Sequence, residues 1–437
     1  MFLPAYITAC LDALEGAGFA AYAVGGCVRD ALLGLTPQDY DLCTSSLPEE
    51  TEQVFRDKKL VLAGKKHGTV GVVTESGVVE ITTFRTEGGY QDNRHPDWVK
   101  FVPDINEDLA RRDFTVNAMA YSPKRGFADP FGGREDLKRH ILRAVGDPQL
   151  RFREDSLRIL RGARFAVRYG LTVENATWVA MLSQAHLMDN LARERVFEEL
   201  CKLLPLVDTQ DLLTFAPLLC AVIPELSPLM GFDQHSPHHA YDLFTHVAHV
   251  VAGVPKDPTL RWAALLHDIG KIPTFTRDET GRGHFYGHAP KGAEMADAVL
   301  RRLKAPTALR QQAVLLIDKH MLRLTPDKKQ LRRCLSRFGW ETVQQLLWLQ
   351  QADMGSKGTG NPEELEVFPQ IRSILKQLQA ESACLTVKDL AVNGHDLMAL
   401  GFTGKAIGQT LNALLEQVLE ESLPNERSAL LDAAQRK

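Results

Sequence analysis

Gly25-Gly26-Cys27-Val28-Arg29-Asp30, followed by Asp39-Tyr40-Asp41, is the stretch on which the reading of this chain turns. Paired glycines let the backbone approach a bulky anion closely, and Arg29 adds the planar fork that suits phosphate oxygens. Carboxylates two apart on a β-strand point to the same side, so Asp39 and Asp41 are expected to hold one hard cation between them. Mg²⁺ suits such a pair because it takes a few carboxylate oxygens and completes its shell with substrate phosphates. A third acid is then expected, and Glu80 offers it within Val78-Val79-Glu80-Ile81-Thr82-Thr83-Phe84, a β-branched run that reads as a neighbouring strand. Alone, Gly-Gly is equally a strand-to-helix turn, and Asp-x-Asp is equally a solvated loop. In this order they point to nucleotidyl transfer, where bound metal braces both the attacking hydroxyl and the leaving pyrophosphate.

The 437 residues predict two to four domains of ordinary globular composition, long enough to bury a sizeable core. A net charge of −4 argues against a protein coated in positive potential, but a nucleic-acid partner needs only a local basic face. Seven scattered cysteines without a C-x-x-C suggest neither a disulfide framework nor a zinc knuckle, and fit a reducing cytoplasm. The apolar start meets Asp12 and Glu15 before any Lys or Arg, and no window offers about 18 uninterrupted apolar residues, so neither a signal peptide nor a membrane span is expected. Composition leaves a monomer and a homodimer equally open.

Up to about Ala144 short β-rich runs alternate with helical ones: 22–24, 60–62, 70–74, 78–84 and 99–102. From Asp155 onward apolar residues recur at three and four, as in Leu157, Leu160, Ala163 and Ala166, and the remainder reads as all helix. The expected fold is therefore an α/β head with a mixed sheet followed by helical domains. Gly and Pro clusters set the boundaries of four segments, an α/β one at 1–145 and helical ones at 146–225, 226–360 and 361–437.

Three later constellations add chemistry. Glu107 to Asn117 packs Arg111, Arg112, Asp113 and Asn117 into a segment that reads either as a capped helix start or as a grip on sugar and phosphate, with Arg112 toward the triphosphate and Asp113 beside it. Asp129-Pro130-Phe131-Gly132-Gly133 reads as a turn. In Glu154-Asp155-x-x-Arg158-x-x-Arg161-x-x-Arg164-Phe165, steps of three and four place Glu154, Arg158, Arg161 and Phe165 on one helical face. That face is either a ladder of surface ion pairs or a base reader, because a carboxylate with a guanidinium imitates a Watson-Crick edge.

Taken in order, these motifs resemble the bacterial class II tRNA nucleotidyltransferases, the CCA-adding and poly(A) polymerase family. The resemblance covers roughly residues 20–205 closely and includes Ala192-Arg193-Glu194-Arg195-Val196-Phe197-Glu198-Glu199-Leu200. It implies a head related to polymerase β, with Asp39 and Asp41 ligating Mg²⁺ and Glu80 as third carboxylate. It implies that Gly26, Arg29 and Arg112 hold the triphosphate and that Asp155, Arg158 and Arg161, with Arg164 on the same helix, select CTP and then ATP. The implied reaction is attack of a tRNA 3′-hydroxyl on the α-phosphate, adding the 3′-terminal CCA without a template. Poly(A) polymerases share the head, but the loop from Arg85 to Pro96 looks like the CCA type, while an A-adding enzyme stays open.

Downstream, His246, His267-Asp268-Ile269-Gly270-Lys271, His284, His288 and Asp353 resemble the His-Asp (HD) family of metal-dependent phosphohydrolases. The resemblance implies a second metal site on His246, His267, Asp268 and Asp353, and imidazoles with carboxylates suit Ni²⁺, Mn²⁺ or Zn²⁺. The intervening His235, His238 and His239 read as loop surface. A basic interval at 301–337 supplies eleven Lys and Arg facing few acids, which reads either as solvated helix surface or as a track for the acceptor and TΨC arm of tRNA. Two other classes stay in view: a phosphohydrolase whose head only senses nucleotides, and a non-catalytic RNA-binding protein.

Overall fold

A computed structural model describes residues 1–88, 98–237, 240–359 and 362–436. The expectation on the loop from Arg85 to Pro96 falls mostly outside those residues, as do His238 and His239. The chain divides into two compact units, one of Met1–Val207 with Thr214–Pro224 and the other of Asp208–Leu213 with Glu225–Lys437.

The first unit is built on a seven-stranded mixed sheet. Its strands are β1 (Ala21–Val24), β2 (Asp41–Thr44), β3 (Leu60–Val61), β4 (Thr69–Thr74), β5 (Gly77–Thr83), β8 (Ala120–Ser122) and β9 (Gly126–Ala128), in the order β3-β4-β5-β2-β1-β8-β9. Only β2 and β5 pair in parallel. β6 (Arg85–Gly88) and β7 (Trp98–Phe101) leave this sheet and form a separate antiparallel ribbon, so the run at 99–102 does not extend the main sheet as its composition suggested. α1 (Ala5–Gly16), α2 (Gly26–Leu32), α3 (Pro48–Val54), α4 (Ile105–Ala110) and α5 (Gly133–Lys138) complete the α/β portion. Tyr22, Val24, Cys43, Phe84, Val102 and Leu109 form its core beneath the sheet. The turn at Asp129 is a helix cap: its carboxylate accepts the amides of Gly133 at 2.6 Å and Arg134 at 3.0 Å. Glycine is required at 133, because a Cβ there would stand 2.2 Å from the Thr115 carbonyl oxygen.

Helices α6 (Pro148–Glu154), α7 (Leu157–Tyr169), α8 (Asn175–Ser183) and α9 (Arg193–Leu203) finish the unit. α6 starts on the Asp147 side chain and Pro148, and α7 stops at Gly170 in the left-handed region. The face running continuously from Glu154 to Phe165 does not exist as expected: Asp155 is extended (φ −144°, ψ 100°) and separates two helices. Helicity after the head is also not complete, since Ile141–Leu142 pairs in parallel with Thr172–Val173.

The second unit is helical, with one two-stranded ribbon of Thr276–Arg277 against Gly283–His284. After α10 (Thr209–Val222), whose residues both units share, come α11 (Leu243–Gly253), α12 (Pro258–Leu266), α13 (Lys271–Thr274), α14 (His288–Arg302), α15 (Thr307–Lys319) and α16 (Lys328–Gly355). Asp242 and Asp257 cap α11 and α12 through their carboxylates. α12 packs on α15, and α11 packs on both α12 and α16, burying Trp262, Leu265, Val247 and Leu346 completely. Further helices follow at Val367–Ala380, Lys405–Leu419 and Arg427–Gln435. Among the described residues no helix is long and apolar enough to cross a membrane.

Candidate active site

β1 delivers the chain to Gly25, whose φ of 76° only glycine adopts without strain, and whose amide bonds the Met119 carbonyl oxygen at 2.9 Å. A Cβ at Gly25 would lie 2.9 Å from Nη1 of Arg112, so the missing side chain is what admits that guanidinium against the turn. α2 follows and carries Arg29, which is buried although charged. Its guanidinium donates to the Asp30 carboxylate at 2.9 and 2.7 Å, to the Asn117 side-chain oxygen and to the Tyr169 hydroxyl.

Asp41 opens β2 and lies opposite Val24 of β1 on one side and Glu80 of β5 on the other. Asp39 is not on the strand as expected but in the irregular lead-in to it. It nonetheless shares a recess of about 350 Å³ with Asp41 and Glu80. Val79 and Ile81 face the core, so alternation turns Glu80 outward beside Asp41. Desolvation by the recess walls raises the Asp41 carboxyl above its usual value; Arg112 opposes this, and the nearby charges of Glu80 and Asp39 reinforce it. Crowded carboxylates of this kind suit a hard cation. A Mg²⁺ held there would draw the rest of its shell from phosphates and water.

A second recess of about 490 Å³ shares Gln38, Asp39 and Asp41 with the first. Into it face Gly25, Gly26, Arg29, Arg112, Asp113, Asn117, Asp155, Arg158, Arg161 and Arg164, together with Arg111, Arg168 and Arg195. Eight arginines against six carboxylates leave this wall positive, as a polyphosphate requires.

The segment from Glu107 is not a helix start: α4 is capped earlier by Asp104, and it ends at Ala110, freeing Arg111 and Arg112 to turn inward. Both clasp buried Asp108, at 2.9 and 3.3 Å. Burial works to raise the Asp108 carboxyl, but the charges of Arg111 and Arg112 outweigh it and hold it below the usual range. Asp113 is fully engaged in the structure, accepting from Arg161 at 3.0 and 2.7 Å and from Asn117 at 3.0 Å. Burial opposes its ionisation, yet Arg161 and Asn117 win and bring its carboxyl down to about 2.

Asp155 bonds Arg195 of α9 at 3.0 Å, while Arg158 bonds Glu154 at 2.7 Å and the Arg111 carbonyl oxygen at 3.1 Å. Arg164 turns to Glu199 on α9 and stands 4.4 Å from the Phe165 ring centroid. Sequence reasoning left Tyr169 out of the site residues, although it falls four positions after Phe165, one further step along the helical face.

In the second unit His246 Nε2 stands 3.0 Å from Asp353 and 3.5 Å from Asp268, and His267 Nε2 stands 3.2 Å from Asp268. All four expected groups therefore meet. His288 and His320 join them, with their Nε2 atoms 3.2 Å apart. Two triplets sharing Asp268, His246–His267–Asp268 and Asp268–His288–His320, each bring their donor atoms within 4.8 Å. Nδ1 of each of the four histidines is within hydrogen-bond distance of a backbone carbonyl oxygen: Ser356 (3.2 Å), Ala264 (2.8 Å), Phe285 (2.8 Å) and Ile317 (2.7 Å). With Nδ1 donating, the Nε2 lone pair of each is left available to a cation. His320 was missed because it sits in a basic run, Asp318-Lys319-His320, with no local pattern. His284 goes elsewhere, to Asp278 at 2.7 Å.

The basic interval differs from expectation. Arg301 pairs with Asp297, Arg302 with Glu225, Arg310 with Asp297, Lys319 with Asp318, Lys328 with Glu381, Arg332 with Glu421 and Arg333 with Glu420. Among the described residues seven of its eleven cations thus face a carboxylate, four of them paired with acids distant in sequence.

A family profile described as "Poly A polymerase head domain" matches residues 21–143, the portion containing the acid trio. One described as "Probable RNA and SrmB- binding site of polymerase A" matches 170–229, and "tRNA nucleotidyltransferase domain 2 putative" matches 288–434. A CCA-adding enzyme of Latilactobacillus sakei subsp. sakei is 35% identical over 429 residues, spanning 97% of this chain and 96% of the relative. The chain belongs to the CCA-adding enzyme family. Its relative from Bacillus velezensis is 33% identical, over 95% of this chain and 94% of its own. Among solved structures, that of the Bacillus stearothermophilus CCA-adding enzyme in complex with CTP superposes with a TM-score of 0.70 at 28% identity, covering 98% of this chain and 96% of that one. Family members are nucleotidyltransferases.

Proposed function

We propose that the chain is a CCA-adding tRNA nucleotidyltransferase, extending and repairing tRNA 3′ ends from CTP and ATP and releasing pyrophosphate. The observation that carries this is the pair of adjoining recesses that share Asp39 and Asp41, one acidic and one lined with arginines. Asp39 and Asp41, with Glu80, would hold Mg²⁺, which when bound neutralises the triphosphate and lowers the pKa of the attacking hydroxyl. Gly25 and Gly26 admit the phosphate chain, and Arg29 and Arg112 grip it. Asp155, Arg158, Arg161 and Arg164 bound the base end of the recess, and Asp113 fixes Arg161 there. In-line attack of the tRNA 3′-hydroxyl on the α-phosphate then needs only positioning and charge stabilisation. The domains are assigned as head 1–145, neck and body 146–225, an HD domain 226–360 and tail 361–437, in a cytoplasmic enzyme.

The test is incubation with tRNAs ending at the discriminator base, after C and after CC, with CTP, ATP or both. Stepwise C, C and A addition supports the reading. A alone on the CC-ended substrate indicates an A-adding enzyme, a long A tract indicates a poly(A) polymerase, and no incorporation defeats nucleotidyl transfer.

A second activity is favoured by one observation, the convergence of four buried histidine Nε2 atoms on Asp268 with Asp353 beside them. His246, His267, Asp268 and Asp353, joined by His288 and His320, would hold Ni²⁺, Mn²⁺ or Zn²⁺, and the adjoining cavity of about 300 Å³ with Lys271 and Lys357 suits a phosphoester. Metal content by mass spectrometry and phosphatase assays on His267→Ala test it; retention of metal and of hydrolysis by that variant would remove the assignment.

A further inference from the structure

We propose that Tyr169 is a positioning residue for nucleotide binding, clamping Arg29 so that the phosphate cradle and the helix bearing Arg158, Arg161 and Arg164 act as one surface. This rests on the nucleotidyl-transfer reading above. Tyr169 is the last residue of α7, 140 positions from Arg29, and lines the same recess. Its hydroxyl accepts from Nη2 of Arg29, and its ring lies 4.2 Å from the guanidinium carbon.

A guanidinium has five N–H donors. Nε of Arg29 serves Asp30, Nη2 serves Asp30 and Tyr169, and Nη1 serves Asn117. Among the described residues one N–H on Nη1 remains to meet a ligand, so where Arg29 points is decided by the groups that hold the other four. Asp30 adjoins Arg29 in sequence and moves with it. Asn117 and Tyr169 are the long-range anchors, and Tyr169 alone belongs to the base-side helix. Its ring is backed by Phe165 (centroids 6.2 Å apart, 28° between planes), which packs edge-on against fully buried Phe114. Tyr169 is therefore a rigid stop with a polar tip, and a guanidinium pressed against it retains its orientation when the triphosphate arrives.

The triphosphate is common to both substrates, so loss of the clamp weakens CTP and ATP alike. A residue that read the base would instead change their ratio. Tyr169→Phe retains the ring and removes the hydrogen bond, and is expected to raise KM for both nucleotides about fivefold with kcat kept within about twofold. It should also shrink the rise in Tm that CTP produces, a readout independent of turnover. Tyr169→Leu, which removes ring and hydroxyl, is expected to lower kcat/KM on the order of a hundredfold, and Arg29→Lys should erase the additional effect of Tyr169→Phe. An unchanged KM and an unchanged CTP-induced Tm shift in Tyr169→Phe would overturn the inference, as would Tyr169→Phe and Arg29→Lys effects that simply multiply. Wild-type protein that incorporates no nucleotide would instead overturn the function on which it rests.

Discussion

Asp41 and Glu80 lie opposite one another on the one parallel strand pair of the main sheet, with Asp39 in the same recess. Two consequences for stability follow from that crowding. The folded pKa of Asp41 stands above its ordinary 3.8, so its proton stabilises the folded state below that pH, and this contribution is lost as pH rises through the folded value. At neutral pH the ionised carboxylates are left in mutual repulsion. Millimolar Mg²⁺ is therefore expected to raise Tm by a few degrees at pH 7 and by less near pH 4. Asp41→Asn should abolish most of that shift and lower CTP incorporation on the order of a thousandfold. An undiminished Mg²⁺ shift in Asp41→Asn, read by scanning calorimetry, would place the metal elsewhere.

Asp113 and Arg161 make the opposite case. The folded carboxyl at about 2 lies below its ordinary 3.8, so the pair contributes stability above pH 3.8 that disappears as pH falls toward 2. The difference corresponds to roughly 2 kcal/mol at pH 7. Urea titration of Asp113→Asn should show a loss of that order at neutral pH, closing on acidification. A loss that does not vary with pH would mean that packing, not charge, is responsible.

Charge removal in the basic interval should split into two behaviours. Arg302 and Arg332 already face Glu225 and Glu421, and their replacement by Ala should leave the salt dependence of tRNA binding almost unchanged. Exposed Lys329 and Arg337 are the better phosphate contacts, and each replacement should reduce the slope of log K against log salt by about one. Equal slopes for all four variants in filter binding would refute the distinction.

The histidine cluster lies in a different unit from the acid trio, so the two chemistries should separate. His320→Ala is expected to lower bound transition metal at least tenfold while CTP incorporation stays within about twofold. Full metal occupancy in that variant, measured on the purified protein, would exclude His320 as a ligand.

Local pattern carried much of this. Period-two alternation around Glu80, the paired glycines and the step-of-three arginines place chemistry on elements because each is a relation among neighbours. It failed where backbone and partners are set over longer distances. The extended Asp155 breaks a face that looks continuous in sequence, and its carboxylate finds Arg195 forty residues away. Arg332 and Arg333, which read either as solvated helix surface or as phosphate contacts, pair with Glu421 and Glu420.

By itself the sequence determined the change from α/β to helix, the three head acids, the arginine supply and the His-Asp pair, since these depend on residue type and short spacing. Only the tertiary structure decided which guanidinium each carboxylate holds, that Tyr169 reaches Arg29, and that His288 and His320 join Asp268. The Tyr169–Arg29 and His288–His320 contacts span 140 and 32 residues and are fixed by packing and desolvation, which no local period encodes.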